Sequence, residues 1–306
     1  MAALLALLSS VLWGSADFFG GLASRRLPAM LVVGWSQAAG LIAVGAVAVA
    51  TDAWHDPAGW VGWSVFAGVC GTVGLVAFYT ALAIGTMGVV SPIAALGVVV
   101  PVLAGLLGGD RPSRLQSAGM LLGLVGALAA SGPELSTQGL LRARGRSVRR
   151  ELETGSRGRT LLPAPPQAAA PARSVWLAAA AGLAFGVALL GIQRGADHSP
   201  VMTLVGMRVA STTTFLLAAL VLRRRVQVPP RQLPMLVAVG VTDAAANLAF
   251  AYASTLGLAS VVAVVGALYP VATVLLGRFV LAERLAPIQQ LGVGLAMVGV
   301  VMLAAG

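Results

Sequence analysis

The stretch GGDRPSRLQSAGMLLGLVGALAA (residues 108–130) returns near the end of the chain as LAERLAPIQQLGVGLAMVGVVML (residues 281–303). Each copy opens on an acidic residue followed by arginine, Asp110–Arg111 in the first and Glu283–Arg284 in the second. Gln116, Gly119, Leu122, Val125 and Gly126 then fall on Gln289, Gly292, Leu295, Val298 and Gly299 at a constant offset of 173, without a gap. Tyr79 and Tyr252 keep the same offset. At an offset of 172, Gly14 falls on Gly186, Pro28 on Pro200, Met30 on Met202, and Val33–Gly34 on Val205–Gly206. Matches among Leu, Val and Gly arise by chance in apolar sequence. An acid–Arg pair followed in register by Gln and spaced glycines does not, and the chain reads as an internal duplication.

Composition identifies the medium. Of 306 residues 58% are hydrophobic and only 10% charged, where a soluble domain carries about 25% charged residues. Apolar runs of about 20 residues, each able to span ~30 Å of hydrocarbon as a helix, follow one another along nearly the whole length. The alternation of a membrane β-barrel is absent. The expected fold is therefore an all-α polytopic membrane protein. Ten spans are predicted, at 2–22, 29–50, 60–82, 88–108, 113–131, 174–194, 200–222, 232–255, 258–280 and 286–305. The first is read as a membrane helix rather than a signal peptide, because no basic segment precedes it. Trp54, Trp60, Trp63 and Trp176 lie at span ends, where indole rings favour the lipid–water interface.

The spans divide into a first repeat at 1–131, a basic Pro/Gly/Ser-rich linker at 132–173, and a second repeat at 174–306. Each repeat holds an odd number of crossings, five. A second copy that begins after an odd number of crossings enters the bilayer upside down. Two inverted five-helix repeats are the expected product, an architecture in which halves rock about a central site.

The formal net charge is +10, and all twenty basic residues are arginine. They lie mainly between apolar runs, so they read as topology signals rather than a nucleic-acid surface. Loops after odd-numbered spans, the linker included, hold sixteen arginines against three in the even-numbered loops. That distribution puts the linker in the cytoplasm and both termini outside a plasma or inner membrane. The lone Cys70 cannot form an intrachain disulfide.

Three stretches together resemble the drug/metabolite transporter superfamily, and within it the EamA-like ten-helix members. SSVLWGSADFFGGLASRR (residues 9–26) is similar to the opening helix of that family with its Trp–Gly pair. The repeated segments at 108–130 and 281–303 are similar to its helix-end motif, with Asp110 replacing the more usual Glu in the first copy. The resemblance covers nearly the whole chain outside the linker. It implies a secondary carrier of metabolites, amino acids or drug-like compounds, commonly an exporter. It also implies cytoplasmic termini, against the arginine distribution.

Candidate site residues are the polar groups that interrupt the spans. Asp243 sits in the middle of VAVGVTDAAANLAFAYAS (residues 237–254). An ionised carboxylate at that depth costs about 2.5–3.5 kcal/mol on insertion scales. It must carry a proton, face a wet cavity or pair with a cation. Asn247 follows one turn later on the same face. A buried interhelical hydrogen bond is the competing account of both. Arg208, at the place of Ser36 in the duplication, can pair with Asp243, bind an anionic substrate group or snorkel outward. Asp17, shallower in its span, either faces the cytoplasmic mouth near Arg25 and Arg26 or lines the cavity, with Trp13 one turn away as an apolar wall. Gln37, between Trp35 and Gly40, completes the set.

Other polar groups read as structural. Asp110 and Glu283 suit helix capping, loop solvation or a local ion pair, and STTT (residues 211–214) suits back-bonding to its own helix. Pro101 and Pro270 interrupt helices, either as simple kinks or by freeing carbonyls toward a substrate. No catalytic set, metal-ligand spacing or phosphate-binding loop is present, which excludes an ATP-driven pump, and neither metal nor cofactor is expected. The predicted function is a secondary active transporter of a small-molecule substrate, with membrane lipids and a second copy of the chain as the other candidate partners. A lipid-linked carrier flippase, or a noncatalytic subunit binding a partner through the linker, are the alternatives.

Overall fold

In hydrocarbon no water satisfies backbone groups, so an apolar run must bond to itself, and it becomes a helix. The computed structural model describes residues 1–85, 87–130, 172–221, 223, 226–280 and 287–306, and its regular structure is helical throughout. The first half comprises α1 (Ala2–Ser24), α2 (Ala29–Thr51), α3 (Val61–Ile84), α4 (Met87–Ala95), α5 (Val99–Leu107) and α6 (Arg114–Ala130). The second comprises α7 (Ala172–Ala196), α8 (Pro200–Val221), α9 (Leu233–Leu256), α10 (Ala259–Gly266), α11 (Tyr269–Val280) and α12 (Pro287–Ala305). Among the described residues nine helical stretches are long and apolar enough to cross a membrane, with α6 a shorter tenth. The linker expected at 132–173, apart from its last two residues, and the Glu283–Arg284 pair lie outside the described residues.

Two predicted spans are not continuous. The fourth is α4 and α5 joined by a single 3-10 turn at Leu96–Val98, and the ninth is α10 and α11 joined through Ala267 and Leu268. Proline explains both breaks. Pro101 and Pro270 have no N–H, so the carbonyls of Gly97 and Gly266, four residues earlier, lose their helical partners. Each break is pressed by the opening helix of the opposite half. A Cβ on Gly14 of α1 would stand 2.5 Å from the Tyr269 carbonyl oxygen, and one on Gly186 of α7 would strike the Gly97 carbonyl. Only glycine permits that approach.

The relation between the halves can be read from four glycines. A Cβ on Gly119 would lie 3.0 Å from the Gly299 carbonyl oxygen, and a Cβ on Gly292 would lie 2.7 Å from that of Gly126. α6 and α12 therefore run antiparallel. Exchanging each glycine for its counterpart, Gly119 for Gly292 and Gly126 for Gly299, leaves the same pairs in contact, as a two-fold axis requires. An axis that turns one membrane-crossing helix onto an antiparallel one lies in the plane of the bilayer. The protein thus has two repeats of inverted topology.

The aromatic core repeats the exchange. Trp13 on α1 lies 5.2 Å from Phe250 on α9, and Phe185 on α7 lies 5.6 Å from Phe78 on α3. At the 172 offset these are the same pair. The match of Tyr79 with Tyr252 is not structural: Tyr79 is 2% exposed and Tyr252 38%. The register of α3 onto α9 is 172, which pairs Phe78 with Phe250, and the extra residue of the second half enters before α12.

Loop contacts fix which ends lie together. Ala2 meets Gly257, Gly59 meets His198, Gly306 meets Ser113, and Asp110 bonds Ser260. The chain ends and the loops after the second, fourth, sixth and eighth crossings therefore share one side. Trp54, Trp63 and Trp176 are exposed near helix ends, whereas Trp60 turns inward, its ring against Gly206.

Candidate functional site

The broken helices meet the bundle at mid-depth, and a cavity of about 100 Å³ opens between the halves there. At roughly 30 Å³ of liquid volume per water, that is room for about three waters or a compact organic ligand. All six candidate residues line it: Trp13 and Asp17 from α1, Gln37 from α2, Arg208 from α8, and Asp243 and Asn247 from α9.

Arg208 organises the polar side. It is 1% exposed, so the snorkelling alternative does not hold. Its Nη2 stands 2.8 Å from Asp243 Oδ2, and its Nη1 donates to Gln37 Oε1. Asn247 Nδ2 donates to the Asp243 carbonyl at 2.7 Å and to Asp243 Oδ1 at 3.2 Å, which holds the carboxylate on its helix. The cation, the acid and two amides thus form one connected network across α2, α8 and α9. Glycine lets these helices approach: a Cβ on Gly40 would lie 3.1 Å from the Gly240 carbonyl oxygen and 3.3 Å from Arg208 Nε.

Of the two places expected for it, Asp17 takes the cavity rather than the mouth. It makes no ion pair with Arg25 or Arg26. Its side chain lines the cavity, where its electrostatic neighbour is Asp243. The reason is helical phase. Asp17 lies one turn after Trp13 and shares its inward face, while Arg25 and Arg26 follow the end of α1.

The two-fold scaffold carries unequal chemistry. At the 172 offset Trp13 corresponds to Phe185, Asp17 to Leu189, Asp243 to Gly71, and Asn247 to Leu75, and all eight line the cavity. The wall of α1, α2, α8 and α9 is therefore polar, and the facing wall of α3 and α7 is apolar. Ala94 and Ala95 beside one helix break correspond to Gly266 and Ala267 beside the other, and these line the cavity too.

Two polar lining residues were not foreseen. Ser211 bonds to the Met207 carbonyl at 2.8 Å and to the Gly68 carbonyl at 3.1 Å, so its back-bonding was expected but its place in the wall was not. Tyr269 immediately precedes Pro270 at the helix break. The signal that could have found it is that adjacency, since a tyrosine beside freed backbone at mid-membrane has no lipid-facing reason to be there.

Outside the cavity, the Asp110 carboxylate accepts the backbone N–H of Ser260 at 2.8 Å and so caps α10. Gln116 and Ser113 form a reciprocal capping box at the start of α6, at 2.9 and 3.1 Å. His55 stands 3.2 Å from Asp52 at the surface, and His198 packs on Gly59.

The chain matches the model of the EamA-like transporter family over residues 1–132 and 172–305. A solved structure described as "Crystal structure of protein" superposes with a TM-score of 0.71 at 19% identity, covering 98% of this chain and 95% of its own. At that identity the likeness is one of fold. No curated protein matches the chain.

Proposed function

The chain belongs to the EamA-like transporter family, and from that premise we propose that it is a secondary carrier exporting small amphipathic metabolites or drug-like compounds by alternating access. The single observation that carries this reading is the buried Arg208–Asp243 pair at the polar wall of an otherwise apolar cavity between inverted halves. A solute with a polar end and an apolar body fits such a space. The polar end meets Asp17, Asp243 and Asn247, and the body lies along Leu75, Phe185 and Leu189. Rocking of the halves exposes this site first to one side and then to the other. Net direction follows from a gradient of substrate or protons, through a difference in affinity between the two states.

Asp17 and Asp243 are the groups able to exchange a proton with the solute. The charged or titratable groups near them are Arg208, Tyr79 and Tyr269. The arginine distribution supports a cytoplasmic linker at 132–173 and external termini in a plasma or inner membrane. Reporter fusions at the two ends test that orientation.

Flux through purified protein in liposomes, against a metabolite library with and without a pH gradient, tests the function. Asp243→Asn lowers flux about ten-fold or more while leaving folded protein in the membrane. Normal flux by that variant would remove Asp243 from the site.

A further inference from the structure

The cavity holds an acidic group without a partner. Arg208 and Asp243 cancel, while Asp17 has no ion pair and no hydrogen bond among the described residues. The other polar lining groups, Gln37, Asn247, Ser211, Tyr269 and the Trp13 indole, are neutral. An ionised carboxylate left alone at mid-membrane costs about 2.5–3.5 kcal/mol on insertion scales. It therefore either carries a proton or takes a counter-charge from outside the chain.

Resting on the carrier reading above, we infer that the substrates are amphipathic organic cations, compact amines whose ammonium group sits on Asp17. A second observation points to the same ligand. The Tyr269 hydroxyl is buried without a hydrogen-bond partner, in a residue 9% exposed that lines the cavity within electrostatic reach of Asp17. Its oxygen offers an acceptor for another ammonium N–H. Trp13, one turn from Asp17, adds a π system that attracts cations.

Zwitterions and anions would have to compete with Asp243 for the cation. Arg208 is the cation among the lining residues, and it is already paired with Asp243. Nη1 goes to Gln37 and Nη2 faces Asp243, while Nε is buried without a hydrogen-bond partner among the described residues. A substrate carboxylate would have to displace Asp243. The facing apolar wall accepts the body of the amine.

Phenethylamine, phenylalanine and phenylacetate share an aromatic body and differ in charge, so they separate these classes. Equilibrium binding to the purified full-length protein at neutral pH is expected to favour phenethylamine over both others by about ten-fold or more. Asp17→Asn weakens phenethylamine about 10- to 100-fold, Asp17→Glu restores most of the preference, and Tyr269→Phe costs about three- to ten-fold. Absent phenethylamine binding, equal or tighter binding of phenylalanine or phenylacetate, or unchanged affinity in Asp17→Asn overturns the inference. Should Asp17→Asn not fold, the comparison of the three probes on the wild type and on Tyr269→Phe decides it. The library flux measurement separates the two levels. Flux of solutes without preference for amines sinks the substrate class alone, whereas no flux of any solute sinks the carrier reading.

Discussion

Arg208 and Asp243 meet at 2.8 Å at places where the first repeat carries Ser36 and Gly71. The backbone exchange between halves is close enough to reproduce aromatic pairs and glycine contacts, yet the charge stands on one side alone. Duplication therefore accounts for the scaffold and not for the chemistry. A symmetric cavity would present the same surface to both ends of a solute. This one separates a polar wall from an apolar wall, which orients an amphipathic molecule.

Removing the guanidinium strands the carboxylate. Arg208→Gln is expected to destabilise the protein by about 3 kcal/mol. The double variant Arg208→Gln with Asp243→Asn loses less than the sum of the single changes. Thermal unfolding of detergent-solubilised protein measures this, and strict additivity would show that the pair contributes no coupling.

The glycine seam between α6 and α12 makes a steric prediction. A Cβ on Gly126 meets the backbone of Ala296, which cannot turn aside. Gly126→Leu should cost about 1–3 kcal/mol or more through forced separation of the helices. Gly294, on α12, has nothing within 4 Å of a built Cβ. Gly294→Ala should be neutral or gain up to about 1 kcal/mol in helix propensity. Comparable losses for both would contradict the two-fold seam.

Capping of α10 crosses between halves. Asp110→Ala deprives the Ser260 N–H of its acceptor and should cost about 1 kcal/mol. It should leave amine preference intact, because Asp110 is not among the residues lining the cavity. Unfolding curves and phenethylamine binding on the same variant check both halves of that statement.

The polar cavity residues were legible in the sequence because hydrocarbon penalises them. Asp243, Asn247, Arg208, Gln37 and Asp17 had to turn inward, and the structure brings all of them to one cavity. Inverted topology followed from an odd number of crossings and a duplicated motif. What was hidden depends on register and three-dimensional phase. Tyr79 and Tyr252 matched by spacing but not in space, because a one-residue insertion shifts the register between α3 and α12. The position of Asp17 depended on the rotation of α1, which the flanking arginines did not reveal. Pro101 and Pro270 marked the interruptions, but only the packing of Gly14 and Gly186 into them distinguishes an open break from a kink.

The central claim is a wet cavity at mid-membrane, reached alternately from each side. Gly71 corresponds to Asp243 on the apolar wall, and a Cβ there meets only Ala188, at 3.8 Å, so cysteine fits. Gly71→Cys in a Cys70→Ala background, probed with a membrane-impermeant thiol reagent applied to each face of oriented vesicles, tests the claim most directly. The account predicts modification from one face without solute, and a shift toward the other face when a transported solute is present. A thiol that reacts from neither face in any condition would contradict it.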